Sequence, residues 1–413
     1  MNIRRKLNPR ALFGSLAFLA TLPMVGCNKT EPVATFEPNW VYAHGQEMEF
    51  GYSMASALEE TELAIDQMFG TPDSPKLPEF LNDSDFASLI SMERLQKAAG
   101  PVAEGHGVYR QHCATCHGIT GNGRGPTAAL LDPYPRDYRA GKFKFKTSAP
   151  GSKPLREDLF YSIKHGIDGT SMKAIPELTD EDIEALIDYV IYLSLRGESE
   201  RALLFEADNV DFENGEHLYQ PGSAEFTDQE ELVSELITEI ADSWVEAAER
   251  VRDIPEPGDI PVPATIPELL EQLQADGDTP LKQSVMQGRE IFLTEKAACT
   301  KCHGKEGRGD GQNNDYDLWT KEWVRQAGGN AEDETALIPL IARGALPPRK
   351  IIPRDFQQGL FRGGADSQRI YRRIAEGIEA TPMPAAALTP EEIWHLVNFV
   401  RSMAVLQEDE PSS

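Results

Sequence analysis

Residues 113–118 read CATCHG and residues 299–304 read CTKCHG. Each stretch places two cysteines three positions apart, with a histidine directly after the second. On one helical turn this spacing lets both thiols reach one edge of a porphyrin while the histidine reaches the iron, which is the pattern of covalent c-type heme attachment. The chain has five cysteines. Because the fifth, Cys27, lies far from both stretches, we expect no structural disulfide.

The sequence therefore predicts two covalent hemes c, each with its iron. The residues predicted to attach and ligate them are Cys113, Cys116, His117, Cys299, Cys302 and His303. Two alternatives also use cysteine pairs. Four thiolates would suit a zinc ion, but zinc does not explain the histidine after each pair. A thioredoxin-like dithiol needs a βαβ context, and the sequence pattern shows none.

The two stretches belong to an internal repeat, which is the strongest sign of domain organisation in the chain. The first copy runs from about residue 100 to 195, and the second from about 284 to 405. Each copy begins and ends with a predicted helix. The second copy is longer by an insertion of about 32 residues within 310–346, which contains two tryptophans.

Each copy also contains the string Gly-Ile-x-x-Thr-x-Met before its last helix. A single methionine is more often part of a core than a ligand, but here two occupy equivalent places. Met172 and Met383 are therefore the predicted sixth ligands of the two irons, and a His/Met pair raises the potential of a heme. His165 is the alternative ligand in the first copy, although the second copy has Glu376 at that place.

A third shared string is Pro-Arg-Asp-aromatic, at 135–138 and 353–356. A heme carries two propionates, and the planar guanidinium of arginine suits carboxylates. Arg136 and Arg354 are therefore candidate partners of the propionates. The alternative is that each arginine pairs with its neighbouring aspartate on the surface.

These motifs resemble those of class I cytochrome c domains, and the whole chain resembles the diheme cytochromes c of bacterial respiratory chains. The resemblance implies an all-α fold, with two tandem class I cytochrome c-like helical domains joined by an acidic, partly helical linker. It also implies that the first and last helices of each domain cross where a glycine meets an aromatic ring. The pairs that fit this contact are Gly105 with Tyr189 and Gly288 with Phe399.

The predicted organisation follows the repeat and the composition. It comprises a lipoprotein signal peptide (1–26), an N-terminal tether with short helices (27–99), cytochrome c domain 1 (100–197), an acidic linker with a helix (198–283), cytochrome c domain 2 (284–406) with its insertion at 310–346, and a tail (407–413). The tether is expected to be irregular over 28–50 and helical over 54–69 and 84–98. A linker helix is expected over 226–251, with its buried row formed by Leu232, Leu236, Ile240, Trp244 and Ala247.

The N-terminus has the order of a secretory signal, with basic residues before an uncharged apolar run over 11–25. Met24-Val25-Gly26-Cys27 resembles a bacterial lipobox, which implies cleavage before Cys27 and lipid on that residue. We therefore expect an exported protein, lipid-anchored to a cell membrane and facing the periplasm or the cell exterior. The alternatives are an uncleaved helix and a plain cleavable signal.

The formal net charge is −27, which excludes a nucleic-acid partner because such binding needs a basic surface. The acidity is concentrated between the copies. Residues 198–279 contain 23 acidic and three basic side chains, a net charge of −20. This run is either a solvated face or a docking surface for a basic partner.

The leading functional hypothesis is an electron carrier, because a six-coordinate His/Met heme leaves no position for a substrate. The resemblance implies redox partner proteins in a membrane respiratory chain, between a quinol-oxidising complex and a terminal oxidase. The alternative is an enzyme similar to the diheme cytochrome c peroxidases, which needs one heme with an open sixth position. A subunit of a larger complex is equally compatible with the sequence.

Overall fold

The computed structural model describes residues 34–100, 107–312, 315–326 and 328–404. Within these ranges the fold is all-α, as predicted, apart from one ribbon in which β1 (Gly70–Thr71) pairs antiparallel with β2 (Ser74–Pro75). No helix of the described part is both long and apolar enough to cross a membrane. The predicted signal peptide, the lipid site at Cys27, Gly105 and the tail lie outside the described residues.

Most α-helices of the described ranges are short, and the two longest lie in the middle of the chain. They are α1 (Trp40–Phe50), α2 (Ala55–Phe69), α3 (Met92–Ala98), α4 (Val108–His112), α5 (Ala114–His117), α6 (Arg156–His165), α7 (Asp180–Glu206), α8 (Phe226–Val245), α9 (Ile266–Leu273), α10 (Pro280–Phe292), α11 (Thr300–His303), α12 (Leu318–Gln326), α13 (Glu334–Ala342), α14 (Ser367–Glu376) and α15 (Pro390–Ser402). The long α7 and α8 form the centre of the first half.

The N-terminal segment is part of the first core rather than a loose tether. Its helices α2 and α3 pack on α7, and the expected helix over 84–98 is a short 3₁₀ turn followed by α3. The prediction of irregular structure over 28–50 is wrong for α1, residues 40–50. There the buried Asn39 receives a hydrogen bond from the Tyr42 amide, and its own amide donates to Glu200 (2.7 Å). These tertiary contacts stabilise a helix with little amphipathic pattern of its own.

Helix α7 begins after Thr179, which forms a capping box with Asp182. It continues to Glu206, so the expected domain boundary at 197 falls inside it. Gly197 does not end the helix, because its role is close packing. A Cβ atom there would lie 2.4 Å from the Cα of Arg139, whose loop crosses the helix at this point.

Helix α8 buries a row one position away from the predicted one. Its buried residues are Gln229, Val233, Ile237, Ala241 and Trp244, whereas Leu232, Leu236 and Ile240 are only partly buried. Trp244 belongs to both rows, and Ala247, just after the helix, is buried as predicted. The two rows have the same spacing, so spacing alone does not select between these neighbouring faces of the helix.

The second half is built on the crossing of α10 and α15, as the resemblance implies. A Cβ on Gly288 would lie 2.0 Å from the carbonyl oxygen of His395 and 2.7 Å from the Cβ of Phe399. The rings of Phe292 and Phe399 meet edge to face with centroids 5.3 Å apart. In the first half the equivalent rings, Tyr109 and Tyr189, are 4.9 Å apart.

The proline-rich part of the linker belongs to the second half. It lies along α15, where its carbonyl groups accept hydrogen bonds from Trp394, Asn398 and Arg401 at 2.8–2.9 Å. Helix α9 then joins the same core. The 198–283 region is therefore divided between the two halves.

The insertion of the second copy forms α12 and α13 and reaches back to the N-terminal segment. Trp323, Leu340 and Ala345 pack with Val41 of α1 in a small apolar cluster. Glu322 of α12 also forms an ion pair with Lys142 of the first copy (3.3 Å). The insertion thus connects the second copy to both earlier parts of the chain.

Candidate heme sites

Each CxxCH stretch forms one helical turn, α5 in the first half and α11 in the second. The amide of His117 donates to the carbonyl of Cys113, and the amide of His303 to that of Cys299, both at 2.9 Å. The four cysteines are free thiols and are half-buried. Burial raises the pKa of Cys113 to about 12 and that of Cys299 to about 11. Each turn thus presents two thiols beside one imidazole.

Each of these histidines is oriented by the Pro-Arg-Asp-aromatic string. Nδ1 of His117 lies 3.0 Å from the carbonyl oxygen of Arg136, and Nδ1 of His303 lies 3.4 Å from that of Arg354. A carbonyl only accepts, so Nδ1 carries the proton and Nε2 keeps its lone pair for a metal. The sequence analysis missed this main-chain role, although the repeat of the string is its signal.

The aromatic residue of the same string stacks on the histidine. Tyr138 lies 4.9 Å from the ring of His117 at an interplanar angle of 14°, and Phe356 lies 4.5 Å from His303 at 23°. Burial lowers the pKa of His117 to about 4 and also lowers that of His303. Both imidazoles are therefore neutral at pH 7, as iron ligation requires.

The two methionine loops have the same internal hydrogen bonds. The amide of Ile167 donates to the carbonyl of Met172 (2.7 Å), and that of Ile378 to Met383 (3.1 Å). In each loop a threonine hydroxyl also links the isoleucine carbonyl to the methionine amide. Such equivalence in two distant segments supports a shared role for the two half-buried methionines.

A glycine begins each methionine loop, and its position excludes any other residue. Gly166 and Gly377 have φ of 71° and 76°, in the region that disfavours side chains. A Cβ on Gly166 would lie 2.6 Å from the carbonyl oxygen of Met172, and one on Gly377 would lie 2.7 Å from that of Met383. The glycine therefore fixes the path of the methionine.

The alternative ligand His165 and its counterpart Glu376 in the second copy have other contacts. His165 is exposed, and its Nδ1 lies 3.0 Å from the carbonyl of Tyr161. Glu376 accepts a hydrogen bond from Arg372 (3.2 Å). No group of three or more His, Cys, Asp or Glu side chains suitable for a metal occurs in the described ranges, so the zinc alternative has no donor set there.

Cationic side chains gather where the two halves meet near these loops. Lys144 forms an ion pair with Asp317 (3.1 Å), and Arg362 donates to the carbonyl of Gly169 (3.2 Å). Burial, with repulsion from Arg136, lowers the pKa of Lys144 to about 8. Burial lowers the pKa of Arg362 to about 10, and its buried Nε has no hydrogen-bond partner in the structure.

The aspartates of the two Pro-Arg-Asp strings accept hydrogen bonds from groups that follow them in the chain. Asp137 is bound by Nε and Nη2 of the buried Arg139, both at 2.9 Å. Asp355 accepts from the amide of Gln357 (3.0 Å). Burial lowers the pKa of Arg136 and Arg354, so an additional anion near either guanidinium would be favourable.

The comparisons with known proteins match both halves. Residues 100–190 match the family model described as cytochrome c oxidase, cbb3-type, subunit III, and residues 285–404 match the model described as cytochrome c. No curated protein sequence is significantly similar to the chain. A solved chain from the reducing HAO-like protein complex of Kuenenia stuttgartiensis is 24% identical, with 76% of this chain and 97% of that chain covered and a TM-score of 0.45.

Two segments with this attachment chemistry and these matches define an electron-transfer protein of the c-type cytochromes. More particularly, the protein is a diheme cytochrome c with two tandem cytochrome c domains, and each domain binds one heme c covalently.

Proposed function

We propose that both irons have His/Met axial ligation and that the protein is an electron carrier rather than an enzyme. The observation that carries this proposal is the equivalence of the two methionine loops, down to the threonine hydrogen bonds. Each heme supplies a reversible one-electron change at iron. The chain supplies a histidine held by a main-chain carbonyl on one side and a methionine loop fixed by a glycine on the other.

We also propose that the cationic residues between the halves bind the heme propionates. Arg136 and Arg354 are the first candidates, because they precede the aspartates of the two repeated strings. Lys144 and Arg362 extend the set, and the orphaned Nε of Arg362 supports an anionic neighbour. Bound propionates would offset the cost of keeping these charges buried.

The physiological setting is a further part of the proposal. The protein would carry electrons between a quinol-oxidising complex and a terminal oxidase, lipid-anchored through Cys27 to a membrane and facing the periplasm or the exterior. The match of the first domain to a family model named for an oxidase subunit supports this setting. The lipobox-like sequence supports the anchor.

The test of carrier against enzyme is carbon monoxide binding to the fully reduced holoprotein. The wild type is expected to keep two low-spin hemes that do not bind carbon monoxide. The variants Met172→Ala and Met383→Ala are each expected to bind one equivalent, and the double variant two. A wild-type heme that binds carbon monoxide would contradict the carrier proposal, and peroxide turnover would then test the peroxidase-like alternative.

A further inference from the structure

The outer face of α8 is an acidic groove. Glu235, Glu239 and Asp242 of this helix, and Glu246 of the 3₁₀ turn that follows it, are exposed and line the groove together with the half-exposed ring of Phe80. No basic residue of the described part of the chain lines it. In the described part of the chain, only Glu246 of these four has an ion pair, with Arg250 at 3.5 Å.

The inner face of the same helix contacts the first heme ligand through a row of aromatic rings. Trp244 is buried and meets Phe143 edge to face at 5.9 Å. Phe143 is stacked on Tyr138 at 6.1 Å, and Tyr138 is stacked on His117 at 4.9 Å. Four rings in contact therefore connect the acidic helix to the imidazole that ligates the first heme.

Trp244 is an unfavourable choice for folding stability alone. Its indole N–H is buried without a hydrogen-bond partner in the structure, and such an orphaned donor destabilises a fold by about 1–3 kcal/mol. A phenylalanine at this position would have no unpaired donor, although it would leave part of the space unfilled. A large aromatic ring is therefore present at this position although its unpaired N–H lowers the stability of the fold.

The second half has only part of this arrangement. Phe361 is stacked on Phe356, and Phe356 on His303, but among the described residues no further ring contact extends from Phe361. The acidic groove thus lies at the end of one ring series, and that series belongs to the first heme.

We infer that the acidic groove of α8 is the docking surface for a basic redox protein, and that the electron passes between this partner and the first heme along Trp244, Phe143, Tyr138 and His117. This inference rests on the proposed electron-carrier function. One electron leaves the reduced metal centre of the partner and arrives at the iron that His117 ligates, and no bond forms or breaks. Three carboxylates without an ion pair, together with Glu246 and the ring of Phe80, complement a surface of lysines around an apolar centre.

The docking step is tested with full-length holoprotein and a reduced, lysine-rich monoheme cytochrome c as the probe. The test variant neutralises the groove with Glu235→Gln, Glu239→Gln, Asp242→Asn and Glu246→Gln. A matched control removes four exposed carboxylates elsewhere with Glu271→Gln, Asp276→Asn, Glu290→Gln and Glu306→Gln. Stopped-flow absorbance gives the second-order rate constant of electron transfer at low and high ionic strength.

The groove variant is expected to lose about tenfold or more in this rate constant at low salt and most of its salt dependence. The control is expected to keep most of the rate constant and most of its salt dependence. Equal losses in the two variants, or a larger loss in the control, would overturn the docking site. So would a wild-type dimer in sedimentation that the groove variant abolishes, because the groove would then be an interface between copies.

The ring series is tested by the first-order rate of electron transfer within the saturated complex. Trp244→Leu is expected to slow this rate and to leave the affinity for the probe unchanged, while Trp244→Phe should keep more of the rate. Phe361→Leu in the second half is the control and should leave the rate unchanged. A Trp244→Leu rate equal to wild type would overturn the series. Reduction of both hemes by dithionite in every variant separates these outcomes from failure of the carrier function itself.

Discussion

The close crossing of α10 and α15 makes Gly288 the most sensitive position of the second domain. In the variant Gly288→Ala, the new methyl carbon would lie 2.0 Å from the carbonyl oxygen of His395. Ordinary contact needs more than 3 Å, so the helices must separate by about 1 Å or more. Overpacking of this kind costs about 1–3 kcal/mol, and the higher helix propensity of alanine returns up to about 1 kcal/mol.

We expect the upper end of the overpacking range, about 3 kcal/mol, and therefore a net loss of about 2 kcal/mol, because the nearest atoms belong to main chain and to the Cβ of Phe399, which cannot rotate away. For a domain of this size that loss lowers the melting temperature by about 8 °C. The assay is thermal melting of the holoprotein followed by circular dichroism in the heme bands. Gln287→Ala, exposed on the same helix, is the control and should stay within about 0.5 kcal/mol of wild type. A Gly288→Ala melting point within about 2 °C of wild type would refute the crossing.

Three further predictions concern the first domain. Gly166→Ala should release the Met172 loop, since the new Cβ meets the loop carbonyl at 2.6 Å; carbon monoxide should then bind one heme per chain, and no binding would contradict this account of the loop. Lys144→Gln should lower the potential of the first heme, by about 70 mV if the charge lies about 10 Å from the iron at an effective dielectric constant of about 20; an unchanged potential in redox titration would place Lys144 away from the heme. Burial alone would raise the pKa of Asp182, but hydrogen bonds from Lys97 and Thr179 lower this pKa to about 2. The ionised Asp182 therefore stabilises the fold above about pH 4, and this stabilisation is lost as the pH falls through about 2. Asp182→Asn should therefore melt lower at pH 7, with a deficit of about 1 kcal/mol for the lost capping box, and the gap should narrow toward pH 2.5; a gap independent of pH would refute the assignment.

The chemistry of the heme sites could be predicted from sequence because it depends on short spacings. The CxxCH turn and the methionine loop each lie within a few residues, so local geometry determines them. The equivalence of the two copies then distinguished Met172 from the other methionines, and the structure gives both loops the same hydrogen bonds.

The rest depended on contacts between distant segments. The sequence could not show that the main-chain carbonyl of Arg136 contacts a histidine. That contact depends on the position of His117, which lies 19 residues earlier in the chain. The expected domain boundary at 197 falls inside α7, and only the crossing loop at Arg139 shows why the chain needs a glycine there. The packing of α1 under the insertion joins residues some 300 positions apart, and no local pattern reports such a contact.

The central claim is that each iron has one histidine and one methionine ligand. Proton NMR of the fully reduced holoprotein tests it most directly, because a methionine methyl group held over a heme is shifted strongly by the ring current. The account predicts two such methyl signals, with one lost in Met172→Ala and the other in Met383→Ala. A single signal in the wild type, or one that survives removal of its assigned methionine, would contradict it.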